Sequence, residues 1–192
     1  MTDAAPGAVV VRDATIDDAF AIARVRTRGW QSGYAGIFSA EFLGGLDAED
    51  GGRRLHERMV EHGAAAIPPA TANLVAEAGG DVVGWCLLGE NRDENLTALR
   101  SADPDRLREI YAIYVDPEHW GVGAGRSLMA EALRRTGDAV VTLWVLEANT
   151  RARRFYTAAG FAPDGDRELY STGDQSAWEV RYRREAPPAG PK

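Results

Sequence analysis

Along this chain the spacing of apolar residues switches repeatedly between a strand-like and a helix-like period, and the switches mark the elements. Val9-Val10-Val11 is a short apolar run that predicts a first strand. Thr15 follows at an N-cap position, with Asp17 and Asp18 in the first turn and Phe20, Ile22, Ala23 and Val25 behind them, so a helix is predicted to about Gln31. After Gly33-Tyr34-Ala35-Gly36, Ser39 stands as a second cap. Glu41–Leu46 and Asp47–His62 read as a broken pair of helices, with Gly44-Gly45 and Gly51-Gly52 as weak points. The period then shortens. Asn73–Ala78 and Val82–Gly89 flank Gly79-Gly80-Asp81, a connection of hairpin length.

Residues 91–106 are polar, charged and without periodicity, and they read as a long loop. Ile110–Val115 is the next apolar run. Asp116-Pro117 breaks it, and Gly121, Gly123 and Gly125 at alternate positions open an amphipathic helix carrying Leu128, Met129, Ala132 and Leu133. Ala139–Leu146 predicts a fifth strand. Asn149 opens a further helix with Ala152, Phe155, Tyr156 and Ala159 on its apolar side and Gly160 at its end. Phe161 begins another strand segment, Gln175–Arg183 alternates as a last strand, and residues 186–192 form a frayed tail. Neither a repeat nor a linker divides the chain, so residues 1–192 read as a single domain with its core at about 8–184.

Composition narrows the function more than the fold. A formal net charge of -7 argues against broad nucleic-acid binding, which needs a basic surface to release counterions. The one cysteine, Cys86, lies inside an apolar strand and cannot build a disulfide framework or a thiolate metal cluster. His56, His62 and His119 are too scattered for a metal site, so no metal is expected. The start MTDAAPGAVV lacks the marks of a signal peptide, and no apolar run approaches membrane-spanning length. The expectation is a cytoplasmic protein that binds neither membrane nor nucleic acid, with a homodimer left open.

The order strand, turn, glycine-rich loop, helix start points to a phosphate-bearing ligand. Helix starts expose unpaired N–H groups and the positive end of the dipole, and glycines let the backbone close on a phosphate. Two phosphate-binding classes fail at once. A dinucleotide fingerprint needs a glycine three positions after the second, where Arg126 or Leu128 stands, and glycines directly after the strand, where Asp116–Trp120 intervene. A Walker A loop needs Gly-Lys before Ser or Thr, and Gly125 is followed by Arg126-Ser127.

Trp120-Gly121-Val122-Gly123-Ala124-Gly125 resembles the coenzyme motif of the GCN5-related N-acetyltransferases: Arg or Gln, two residues, Gly, one residue, then Gly or Ala. The departure is Trp120 at the Arg/Gln position. A second segment, Asn149-Thr150-Arg151-Ala152-Arg153-Arg154-Phe155-Tyr156 followed by Gly160-Phe161, is similar to the same family's second coenzyme segment, in the right order with one strand between. The resemblance is specific over about residues 109–161.

This resemblance implies an α/β (α+β) fold: a mixed, mostly antiparallel six- or seven-stranded sheet flanked by helices and splayed between strands four and five. It implies transfer of an acetyl group from acetyl-CoA directly to a primary amine, that of a small molecule first. Protein N-termini or lysines are the alternative acceptors, and a non-catalytic acyl-CoA sensor is the contrasting class. Carried over residue by residue, the freed backbone of Ile113, Tyr114 and Val115 binds the pantetheine arm and thioester. The amides from Val122 through Ala124 and Gly125 to Arg126, with Gly121 and Gly123 shaping the loop, hold the pyrophosphate, and Asn149 bonds pantetheine or caps its helix. Glu109 is the expected base, with Glu90, Asp93 and Glu94 as alternatives, and Tyr156 the acid for the departing thiolate. On a period-two strand Glu109 shares a face with Tyr111, Ile113 and Val115. Trp30 and Tyr34 are expected to line the acceptor pocket, with Phe38, Trp85 and Trp144 as further candidates.

Overall fold

The computed structural model describes residues 8–64, 70–93, 96 and 106–186. In chain order these form β1 (Val10–Asp13), α1 (Ala19–Gly33), α2 (Ala40–Gly44), α3 (Ala48–His62), β2 (Ala70–Ala78), β3 (Asp81–Glu90), β4 (Leu107–Val115), α4 (Ala124–Thr136), β5 (Val140–Leu146), α5 (Thr150–Ala158), β6 (Ala162–Thr172) and β7 (Gln175–Arg184). Short 3-10 turns precede α1 and follow β4. The strands make one seven-stranded sheet in the order β1-β2-β3-β4-β5-β7-β6. Every neighbouring pair is antiparallel except β4 with β5. The tail beyond Ala186, Glu94 and most of the loop expected at 91–106 lie outside the described residues.

Two apolar layers cover the sheet. Leu128, Met129 and Ala132 of α4 and Tyr156 of α5 pack on one face against Leu74, Cys86, Leu88, Ile110 and Leu143. Ile22 and Val25 of α1 with Leu55 and Met59 of α3 pack on the other, against Val75, Trp85 and Leu87. Each fully buried Leu or Ile in these layers is worth roughly 1.5–3 kcal/mol of transfer free energy. The expected pair of helices is present as α2 and α3, and α3 runs without interruption through the weak point at Gly51 and Gly52. The reason is close packing. A Cβ at Gly52 would stand 2.5 Å from the Phe20 ring, so glycine there lets α3 press against α1.

The pairing of β4 with β5 positions the site. It covers only Leu107↔Val140, Arg108↔Val141 and Glu109↔Thr142, after which the two strands run on without a shared ladder. The closed end is pinned by Asn91, whose Nδ2 donates to Thr142 Oγ1 at 2.7 Å. Beyond it, one edge of β4 is left without a strand partner.

A β-bulge changes the expected phase of β4. Leu87 pairs with Ala112 but Leu88 with Ile110, which leaves Tyr111 as the extra residue. Ile110, Ile113 and Val115 therefore pack with the α4 layer, and Tyr111, Ala112 and Tyr114 with the α1 layer. Glu109 does not share a face with Ile113 and Val115, as strict alternation required. The bulge breaks the alternation between them.

Candidate active site

The gap between β4 and β5 opens into a cavity of about 1270 Å³ lined by the glycine loop, Tyr156, Glu109 and Glu179. Three groups of residues make its walls.

In the first, Asp116 Oδ1 accepts the Glu118 N–H at 3.0 Å and closes the turn after β4. Gly121 (φ 90°) and Gly123 (φ 98°) then take left-handed conformations that L side chains avoid, and Gly123 is the N-cap of α4. No side chain caps α4, so its first N–H groups and the dipole's positive end face the cavity mouth, beside Ala124, Gly125 and Arg126. These backbone donors suit a pyrophosphate. Val122 is exposed and does not line the cavity.

Trp120, the departure from the motif, is accounted for here. Its indole N–H donates to the Val115 carbonyl at 2.9 Å, satisfying a β4 group next to the splay. Its ring also carries the Arg151 guanidinium, 3.6 Å from the centroid. Arg151 comes from the first turn of α5, so a cation is brought beside the loop from a second segment. Among the described residues no carboxylate pairs with it.

In the second group Ile113, Tyr114 and Val115 line the opened edge of β4. Asn149 also lines the cavity, and its Oδ1 caps α5 by accepting the Ala152 N–H at 3.0 Å. Tyr156 is 8% exposed and packs edge-on against Phe155 and Phe161. Burial, with smaller contributions from Tyr114 and Cys86, raises its pKa well above that of a free phenol. The hydroxyl therefore keeps its proton until a stronger base arises beside it. Cys86 lies in the α4-side core, its thiol pushed up to about 12 by burial, and acts as packing.

The third group is made of side chains. Trp30 Nε1 donates to Tyr114 Oη at 2.9 Å, and Tyr34 Oη lies 3.3 Å from the same oxygen. Trp30, Tyr34, Trp85 and Trp144 all line the cavity, whereas Phe38 is buried behind Trp30, with ring centroids 6.1 Å apart. Glu109 is 3% exposed, and Arg92 is its partner three times over: Oε2 accepts from the Arg92 backbone N–H at 2.9 Å and Nε at 3.3 Å, and Oε1 from Nη2 at 2.6 Å. Arg92 also lies over the Tyr111 ring at 3.9 Å. Asp93 pairs at 2.5 Å with Arg181, which Asp164 also holds at 2.7 Å and Asp166 contacts as well. Glu90 is exposed and does not line the cavity.

The structure thus brings together Glu109, Tyr156, the glycine loop, Asn149, Trp30 and Tyr34 around one space. Sequence reasoning missed Arg92, Arg181, Glu168 and Glu179. Glu168 and Glu179 face each other across the β6–β7 ladder and line the cavity. The available signal was the alternation of β7: Trp178, Val180 and Tyr182 are its apolar set, which turns Ala177, Glu179 and Arg181 to the other face.

Among the described residues no group of three or more His, Cys, Asp or Glu side chains is arranged to hold a metal, and no helix is long and apolar enough to cross a membrane. The family model for the acetyltransferase (GNAT) family matches residues 38–161. A mycothiol acetyltransferase of Sanguibacter keddieii is 43% identical over 91 residues, 46% of this chain but only 27% of that protein, so the chain matches about a quarter of that relative's length. An uncharacterized N-acetyltransferase of Bacillus subtilis, YuaI, is 28% identical over 144 residues, 73% of each chain. PaiA N-acetyltransferase from Thermoplasma acidophilum, solved in complex with coenzyme A, superposes with a TM-score of 0.66 at 20% identity, covering 93% of this chain and 99% of that one. The parallel β4–β5 pair that parts after three residues belongs to the same architecture, and with the family match over most of the sheet the chain belongs to the acetyltransferase (GNAT) family.

Proposed function

We propose that this chain is an acetyl-CoA-dependent N-acetyltransferase acting on the primary amine of a small molecule. The observation that carries the reading is one cavity lined by uncapped backbone donors, by Tyr156 and by carboxylates. Acetyl-CoA, when bound, supplies the acyl group as a thioester. The α4 amides and the Trp120–Arg151 pair hold its phosphates, and the unpaired edge of Ile113–Val115 aligns the pantetheine arm. The acceptor nitrogen forms its bond to the acetyl carbon, and the carbon–sulfur bond breaks with the electron pair on sulfur. Tyr156 gives its hydroxyl proton to that sulfur and recovers one from the new amide nitrogen, which balances the step. Glu109, held by Arg92, sets the shape and charge of the acceptor end.

A small acceptor is supported by the aromatic enclosure of Trp30, Tyr34, Trp144 and Tyr170, and by the mycothiol acetyltransferase names among the relatives. A peptide amine is the competing acceptor. A sensor that only binds acyl-CoA would need neither a protonated tyrosine at the thioester nor carboxylates beyond it. The test is thiol release from acetyl-CoA across small amines, polyamines and peptides, with coenzyme affinity in parallel. Tyr156→Phe is expected to lower kcat roughly 100-fold, the scale of general acid catalysis, with coenzyme affinity changed less than about twofold. Tight coenzyme binding by the parent with no turnover on any acceptor would put the sensor in place of the enzyme.

A further inference from the structure

We propose that Glu179, directly opposite Glu168 across the β6–β7 ladder, is the group that takes the proton from the acceptor's ammonium, and that the acceptor therefore enters the cleft as a cation. The inference rests on the acetyltransferase reading and moves its base from Glu109 to a strand outside the two coenzyme segments.

Placement comes first. Glu179 pairs with Leu146, the last residue of β5, and stands opposite Glu168 of β6. It is thus at the wide end of the gap between β4 and β5, on the wall of the cavity that also holds Tyr156 and Glu109. On the same β7 face Arg181 is the nearest cation in sequence, and it is committed to Asp93, Asp164 and Asp166. Arg92 is committed to Glu109, and Arg26 lies over the Trp30 ring at 5.3 Å. Among the described residues no arginine or lysine forms an ion pair with Glu179 or Glu168. Two facing carboxylates on the wall of a cleft, with no ion pair of their own among the described residues, leave a place for a cation that arrives with the substrate.

The two candidate bases differ in what their oxygens are doing. Both oxygens of Glu109 are occupied by Arg92, so its electron pairs are engaged and its charge is compensated. Glu179 stands opposite another carboxylate, and among the described residues it forms no ion pair. Burial raises its pKa most, Glu168 next and Glu109 after that, while Arg92 offsets part of the rise; the result is about 7. Tyr170 from β6 is a further titratable neighbour. A base near 7 is matched to neutral pH, where an ordinary carboxylate is too weak to deprotonate an ammonium.

In the step, one N–H bond of R–NH3+ breaks with its electron pair left on nitrogen, and the proton passes to a Glu179 oxygen. The nitrogen is then a neutral nucleophile. The proton held by Glu179 is the one released to solvent per turnover, when acetyl thioester and ammonium become amide and thiol.

The experiment is kcat against pH for the parent, Glu179→Gln and Glu168→Gln with a primary-amine acceptor. Coenzyme A affinity and a 13C-carboxyl NMR titration of the uncomplexed protein accompany it. The parent is expected to show a rising limb near pH 7 and a glutamate carboxyl titrating there that is missing from Glu179→Gln. Glu179→Gln should lose the limb and roughly 100-fold or more in kcat while coenzyme A binds as before. Glu168→Gln should move the limb to lower pH, because one negative neighbour is gone. A Glu179→Gln profile with the limb intact and kcat within about threefold would overturn the base alone. So would a Glu179 carboxyl that titrates in the ordinary carboxylate range, which decides the matter even if the variant fails to fold. No thiol release by a parent that binds coenzyme A would overturn the transfer reading and the base together.

Discussion

The two ends of the cavity are built from different materials. The coenzyme end is mostly backbone: two left-handed glycines, an uncapped helix start and the freed edge of one strand, with Trp120 and Arg151 added at its rim. The acceptor end is mostly side chains drawn from α1, β4, the segment after β3, β6 and β7. Backbone donors recognise a phosphate by geometry and tolerate change in most side chains around them. A side-chain pocket fixes its ligand by charge and shape and alters with each substitution. The difference teaches that coenzyme use and acceptor choice are separable in this molecule, and perturbations should move one without the other.

The strongest break is expected from Arg181→Met. Arg181 is 5% exposed and joins Asp93 to Asp164, so removing it takes the shared cation from between two carboxylates. The expected loss is about 3–5 kcal/mol of stability in denaturant unfolding. Near neutral pH the surviving fold should bind coenzyme A as the parent does but show a raised KM for the amine. Gly123→Ala acts on the other end. It forces an L side chain to a φ of 98°, costing about 1–3 kcal/mol, read as a tenfold or larger loss of coenzyme A affinity in calorimetry with acceptor selectivity unchanged. Trp120→Phe keeps an aromatic platform for Arg151 and removes only the N–H bond to Val115, so coenzyme affinity should fall about fivefold. Equal effects of Gly123→Ala on coenzyme affinity and on acceptor discrimination would show the two ends to be coupled.

The same contrast explains how much was legible in the sequence. The glycine loop and the Asn149–Tyr156 segment are local patterns, each set by a run of a few residues, and both stand where the pattern placed them. The splay was implied by the family resemblance, and the register of β4 with β5 carries it. Glu179 and Glu168 were not legible, because their meeting depends on β7 inserting between β5 and β6. Arg92 and Glu109 are 17 positions apart, and Arg181 and Asp93 are 88 apart, with nothing local to link them. Gly52 reads in the sequence as a weak point of its helix because only the fold reveals the Phe20 ring against it.

The extra residue at Tyr111 makes the two walls of the cleft a matter of parity. Between Glu109 and Val115 the chain carries one residue more than its partner strand, and that single count decides which wall each side chain joins. Deleting one residue there would leave the strand's apolar composition almost unchanged. It would nonetheless exchange inside for outside on one flank of the bulge, turning either Glu109 away from Arg92 or Tyr114 away from Trp30. Substitution can tune this strand position by position, but its length is quantised.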